Sequence, residues 1–383
     1  MPTKAGKSAG KAVRLFIGTR KGAFVLESDK ERRQWKVSEP LYLGHIVHHW
    51  LADPRDPNVV LMAAKTGHLG PTLFRSLDGG QTWQETKVPP AFPKSDEGDK
   101  GRSVESVFWL TPGLPEQKNV WWAGTAPAGL FKSEDNGLTW QPVAGFNDNP
   151  MYKEWAAFGP TPGGQLVHSI LVDPRNNGFM YLSISPGGTF ESTDGGQSWA
   201  PMNNGCAADF MPDPNVDFGH DPHCVAIHPL APDRLYQQNH CGIYRIDRPG
   251  RKWMRIGKNM PAEVGDIGFP IVLHPRNPDC AWVFPMDGST VWPRTSPGGK
   301  PSTYVTKDAG ASWSRQDKGL PAANAYFTVK RQAMTCDWHD PLGLYFGTSQ
   351  GEIWGSADEG ESWSCLVQYL PEVYSLTVAE APA

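Results

Sequence analysis

The chain has 383 residues, 39% of them hydrophobic and 20% charged, with a formal net charge of −4. That balance gives no electrostatic reason to expect a nucleic acid or an anionic membrane as partner, and points to small or neutral ones. A content of 41 Gly, 36 Pro and 16 Trp predicts many turns and large aromatic anchors, hence an all-β chain.

In chain order, the first segment (1–11, MPTKAGKSAGK) is basic and lacks the apolar core of a secretory signal. It reads as a disordered lead into a cytoplasmic protein, and no later stretch approaches the length needed to cross a bilayer. The six cysteines form no Cys-x-x-Cys pair, which argues against a zinc ribbon or a disulfide framework and for reduced, buried thiols.

From residue 12 the chain reads as one repeated unit. VRLFIGT is the second strand of a first unit, and SDKERRQW, ending at Trp35, is a worn copy of a turn that returns intact further on. The intact form, Ser/Thr-x-Asp-x-Gly-x-Ser/Thr-Trp, ends at Trp83, Trp140, Trp199, Trp313 and Trp363, and a second worn copy ends at Trp253. In this turn the Asp accepts backbone N–H groups that no strand can reach, and the Gly takes a positive φ. The Trp turns inward as an apolar plug at the start of the next strand.

Seven such tryptophans, 48 to 60 residues apart, predict seven units of four short strands each, which is the spacing of a β-propeller. Apolar runs ending in Pro supply the inner strands: HIVHHWLADP (45–54), SVESVFWLTP (103–112), QLVHSILVDP (165–174), HDPHCVAIHP (220–229), DIGFPIVLHP (266–275) and QAMTCDWHDP (332–341). The first blade lacks its inner strand, and VYSLTVAEAP (373–382) supplies it. The expected architecture is a single seven-bladed propeller over 12–383, closed by the C-terminal strand pairing with the N-terminal blade.

The five intact turns resemble those of the Asp-box, or BNR-repeat, propellers, a superfamily that includes sialidases, xyloglucan-active hydrolases, sortilin-type receptors and a photosystem assembly factor. The resemblance covers nearly the whole chain. It implies that the boxes lie between the third and fourth strands, away from the functional face, and that they are structural. The sialidase pattern itself, with an arginine trio, a Tyr–Glu nucleophile and a Phe/Tyr-Arg-Ile-Pro stretch, is not met.

Chemistry is then expected on the opposite, top face, where the connections at 84–102, 141–164, 200–219 and 285–304 are long. Aligned on their terminal Pro, the inner strands bring His48, Ser106, His168, His223, Phe269 and Thr335 to one level, with His45, Gln165, His220 and Asp266 before them. Arg102 and Arg331 stand one place earlier, and His240 lies on the top turn of the fifth blade. His48, His168, His223 and His240 form a candidate site for one divalent transition metal (zinc, manganese, iron or copper). As core residues, the first three would instead cap the apolar surface between blades.

Asp266, Glu105 and Asp221 are the candidate catalytic acids, with Glu154 also available. Arg102, Arg331, His45, His220, Gln165, Trp155 and Trp292 are candidate ligand-binding residues, the tryptophans stacking on sugar rings or anchoring their loops. The expected function is binding of a saccharide or other small polar ligand at the top centre, with hydrolase or lyase action on it. The alternative is a non-catalytic scaffold that docks a protein on the same face.

Overall fold

The computed structural model describes residues 12–66, 68, 70–94, 101–151, 165–288 and 294–380, so the lead 1–11 lies outside the described residues. These residues form seven four-stranded antiparallel sheets. Six of them meander in chain order from an inner strand to an outer edge. In the first, the inner strand Val373–Glu380 comes from the far end of the chain and pairs with Val13–Thr19, Val13 facing Glu380 and Leu15 facing Val378.

The other inner strands are Ile46–Asp53, Ser106–Pro112, Leu166–Val172, Pro222–His228, Gly268–Leu273 and Met334–Cys336. Each touches the next, and the last touches Val373–Glu380, so the ring closes into a seven-bladed β-propeller. Both faces of a blade are covered by neighbours, which is why the second strands read as continuous apolar runs rather than alternating ones. Leu61, Met62, Ala63 and Ala64, in sequence, are all buried.

The recurring turn is built as its residue types require. In the second blade the Ser76 hydroxyl donates to Asp78 Oδ1 at 2.7 Å and accepts the Gly80 N–H at 2.8 Å. The Asp78 carboxylate accepts the Thr82 N–H at 2.9 Å and its hydroxyl at 2.5 Å, and the Trp83 indole donates to Gly80 O at 3.1 Å. Gly80 has φ +95°, and its counterparts Gly137, Gly196, Gly310 and Gly360 lie between +77° and +93°.

The same Ser/Thr–Asp–Ser/Thr bonds recur around Asp135, Asp194, Asp308 and Asp358. In the worn first copy, Asp29 takes over by accepting the N–H groups of Arg33 and Gln34, and Trp35 still donates to Arg32 O at 3.2 Å. All six cysteines are free thiols.

Candidate functional site

The inner strands slip in register near their entry ends, at the mouth of the central channel. The slip passes over His48, Phe108, His223, Phe269 and Tyr374, one extra residue that a bulge turns away from its sheet. These rings then meet around the axis. His48 stacks on Tyr374 at 5.4 Å and lies 5.8 Å from Phe108, while His223 lies 4.7 Å from Phe269. The terminal prolines do not mark this level. Phe108, not Ser106, is the third blade's counterpart of His48, and His168 precedes the slip in the fourth blade. A proline at the far end records strand length, whereas the bulge sits at the entry end.

From the seventh blade, Arg331 reaches into the space between these rings, its guanidinium 5.6 Å from both Phe108 and Phe269. Beside it, Gln332 donates to Phe108 O at 2.7 Å, joining the seventh blade to the third. Arg331 Nε is buried and has no hydrogen-bond partner, and the guanidinium makes no ion pair among the described residues. Burial lowers its pKa, while the charge of Asp221 works against that shift.

Asp221 is the hub of the mouth. Its carboxylate accepts the Ser185 hydroxyl, and one oxygen, Oδ2, lies 3.3 Å from His223 Nε2 and 3.3 Å from His240 Nδ1. Burial by itself would raise its pKa. The charge of His223 and the hydrogen bonds from His223, His240 and Ser185 outweigh that and hold it well below the usual carboxylate range. Burial pushes the His223 imidazole below its ordinary value, with Asp221 opposing and Arg331 adding to the fall.

His223 Nδ1 donates to Gly268 O at 2.6 Å, and the Arg294 guanidinium approaches His240 Nδ1 at 3.4 and 3.5 Å. Phe210, 47% exposed, stands edge-on to His240 at 5.4 Å and forms an aromatic lip.

His168 supports this hub without joining it. Its Nε2–H donates to Pro222 O at 2.9 Å, between Asp221 and His223, and its Nδ1 accepts from Ser169 Oγ at 2.8 Å, so both ring nitrogens are engaged. Ser169 Oγ in turn accepts the Val225 N–H at 3.0 Å, which pins the fifth blade a second time. His48 stays on the other side of the channel, where burial, then Lys330 and Lys65, lower its pKa to about 4.

The remaining candidates are dispersed. Asp266 is held by Arg255 in a two-pronged pair, both contacts 2.9 Å. Glu105 is exposed just before Ser106–Pro112, two blades from Asp221. Arg102 packs on Phe92 at 4.2 Å and donates to Asn147 O, apart from Arg331. His45 lies against Tyr42 and Phe74, away from the axis. His220 ties the carbonyls of Ala207 and Val216, and Gln165 directly precedes Leu166–Val172. Trp155, Trp292 and Glu154 lie outside the described residues. Sequence reading did not find Ser185, Phe210 or Arg294, although Arg294 sits in the long inner turn 285–304 that it had assigned to the top face.

No family model matches the chain. The oligoxyloglucan-reducing end-specific xyloglucanase of Emericella nidulans is 24% identical over 300 residues, covering 68% of this chain and 33% of that protein. A Bacteroides fragilis sialidase is 29% identical over 162 residues, 36% of this chain and 29% of its own length. The chain thus spans a third or less of these relatives. Among solved structures, the Niastella koreensis GH74 enzyme superposes with a TM-score of 0.63 at 17% identity, over 94% of this chain and 54% of that one, a likeness of fold. The protein is a seven-bladed β-propeller that resembles GH74 xyloglucanases and a sialidase.

Proposed function

We propose that the protein binds a saccharide or a similar small polar ligand at the top of the central channel and acts on it as a glycosidase-like hydrolase. The observation that carries this reading is Arg331, a buried guanidinium clamped between two phenyl rings with no anion beside it among the described residues. A cation held out of water in this way is costly unless an anion reaches it. Arg294 stands at the same mouth, likewise without an ion pair among the described residues. The site therefore favours a ligand carrying negative charge, such as an acidic sugar. Phe210 offers an apolar face for a ring, and Asp221 with its imidazoles supplies the groups able to accept or deliver a proton. The relatives named for action on xyloglucan and as a sialidase support the saccharide class.

Calorimetry with neutral xyloglucan fragments and with uronic-acid oligosaccharides, alongside release of reducing ends, tests the reading. The acidic set should bind the tighter, and Arg331→Met should abolish that preference. Binding of neither set, or equal binding by the variant, would overturn it.

A further inference from the structure

We propose that Asp221, His223 and His240 form a binding site for one divalent transition metal ion, independent of which organic ligand the channel takes. The ligand atoms of all three lie within 4.8 Å of one another. A second argument is where the ring nitrogens stand around the carboxylate.

The 2.6 Å contact with Gly268 O places a His223 ring proton on Nδ1, which leaves Nε2 as the ring nitrogen that can ligate. It stands 3.3 Å from Asp221 Oδ2. His240 Nδ1 stands at the same 3.3 Å from that oxygen. Arg294 donors lie 3.4 and 3.5 Å from this nitrogen, too far to occupy it. Two ring nitrogens thus converge on one anionic oxygen, and a cation among them would take the place of the protons they share with it.

The spacing fits that cation. Nitrogen and oxygen ligands about 2.0–2.1 Å from a tetrahedral ion stand roughly 3.3–3.4 Å apart, whereas an N–H···O bond is about 2.7–3.2 Å long. Both Asp221 contacts are long for hydrogen bonds and match the edge of a tetrahedron. His223 also carries the outer hydrogen bond to a carbonyl that fixes a ligating imidazole. His168 holds Pro222 O and so fixes the chain between two of the three ligands.

Two imidazoles and one carboxylate suit zinc, iron or manganese better than magnesium or calcium, and three protein ligands leave a coordination position open. The guanidinium groups of Arg294 and Arg331 oppose a dication and favour an anion in that open position. The ion is consequently expected to bind more weakly than a structural zinc.

The test uses the whole chain without a polyhistidine tag, dialysed against cobalt(II) and followed by elemental analysis and visible absorption. One equivalent of cobalt should be retained, with the intense bands of low-coordinate cobalt. Asp221→Asn and His240→Ala should each weaken binding by about 100-fold or more, and His45→Ala, whose ring packs on Tyr42 and Phe74, should change nothing. Asp221 lies within the fold, so the His240→Ala variant, whose side chain is 30% exposed, separates lost ligation from lost folding once its melting curve matches the parent's. Failure to retain stoichiometric cobalt, or His240→Ala binding as the parent does, would refute the site. Neither result bears on saccharide binding, which is measured without metal.

Discussion

The base and the mouth of the propeller are made from the same repeat, yet they handle polar groups in opposite ways. At the base each box Asp is exposed or half-buried, and neighbours within four residues satisfy its carboxylate, as Ser192 and Ser198 do for Asp194. At the mouth Asp221 is drawn out of water and answered by groups from the fourth and fifth blades, while Arg331 makes no ion pair among the described residues and feels Asp221 only at a distance. A polar group satisfied locally can be copied from blade to blade without further consequence. One left waiting in a buried place is tolerable only where something else binds. The symmetry of the ring is kept where it serves folding and lost where it serves chemistry.

Four changes would break or sharpen that contrast. The largest effect should come from removing residues 373–383, which takes an inner strand from the first blade and leaves two open edges. No soluble, cooperatively melting protein is expected, and a truncated chain with the parent's melting curve would show that the seam is dispensable.

Next comes acid. His49 is buried, and its Nδ1 accepts the Leu110 N–H at 3.0 Å, so it must stay neutral; burial lowers its pKa to about 3. The unfolded chain takes up this proton near pH 6.5 and the folded one only near 3. Stability should therefore fall as pH drops across that window, by up to about 5 kcal/mol for this ring. Melting temperatures measured between pH 7 and 4 should fall less steeply in His49→Gln than in the parent.

A smaller effect, of opposite sign, is expected for Arg331→Met. Replacing an unpaired buried cation with an apolar chain of similar length should stabilise the protein by about 1–3 kcal/mol in denaturant titrations. Destabilisation would mean that the guanidinium is structural. The smallest change is Asp194→Ala, expected to cost about 1 kcal/mol and to leave binding at the mouth untouched. A loss of binding at unchanged stability would place function at the base.

The sequence disclosed the base far better than the mouth, for a physical reason. A box is a local object: its Ser, Asp, Gly and Trp lie within eight residues, so spelling and geometry coincide. The seam could also be read, because an apolar strand was missing at one end and spare at the other. The mouth is assembled from residues as distant as Ser185, Asp221, Arg294 and Arg331, and their meeting depends on bulges that leave no mark in the hydrophobic pattern. Thus Asp221, His223 and His240 could be singled out by residue type, but His48 and His168 could not be separated from them. Aligning on the prolines gave His168 the level of His223, when its ring in fact serves to hold Pro222. Asp266 looked available because its partner Arg255 lies on another strand of the preceding blade.

The pairing of Val13–Thr19 with Val373–Glu380 has one more consequence. Val13 and Glu380 are neighbours across a sheet, where antiparallel partners stand about 5 Å apart, so a short glycine-rich bridge could join them. The chain could then be cut open at an exposed box turn in another blade and still thread the same circle. The propeller is in this sense a loop of seven interchangeable starting points, and which blade is translated first is a matter of gene layout that the folded molecule does not record.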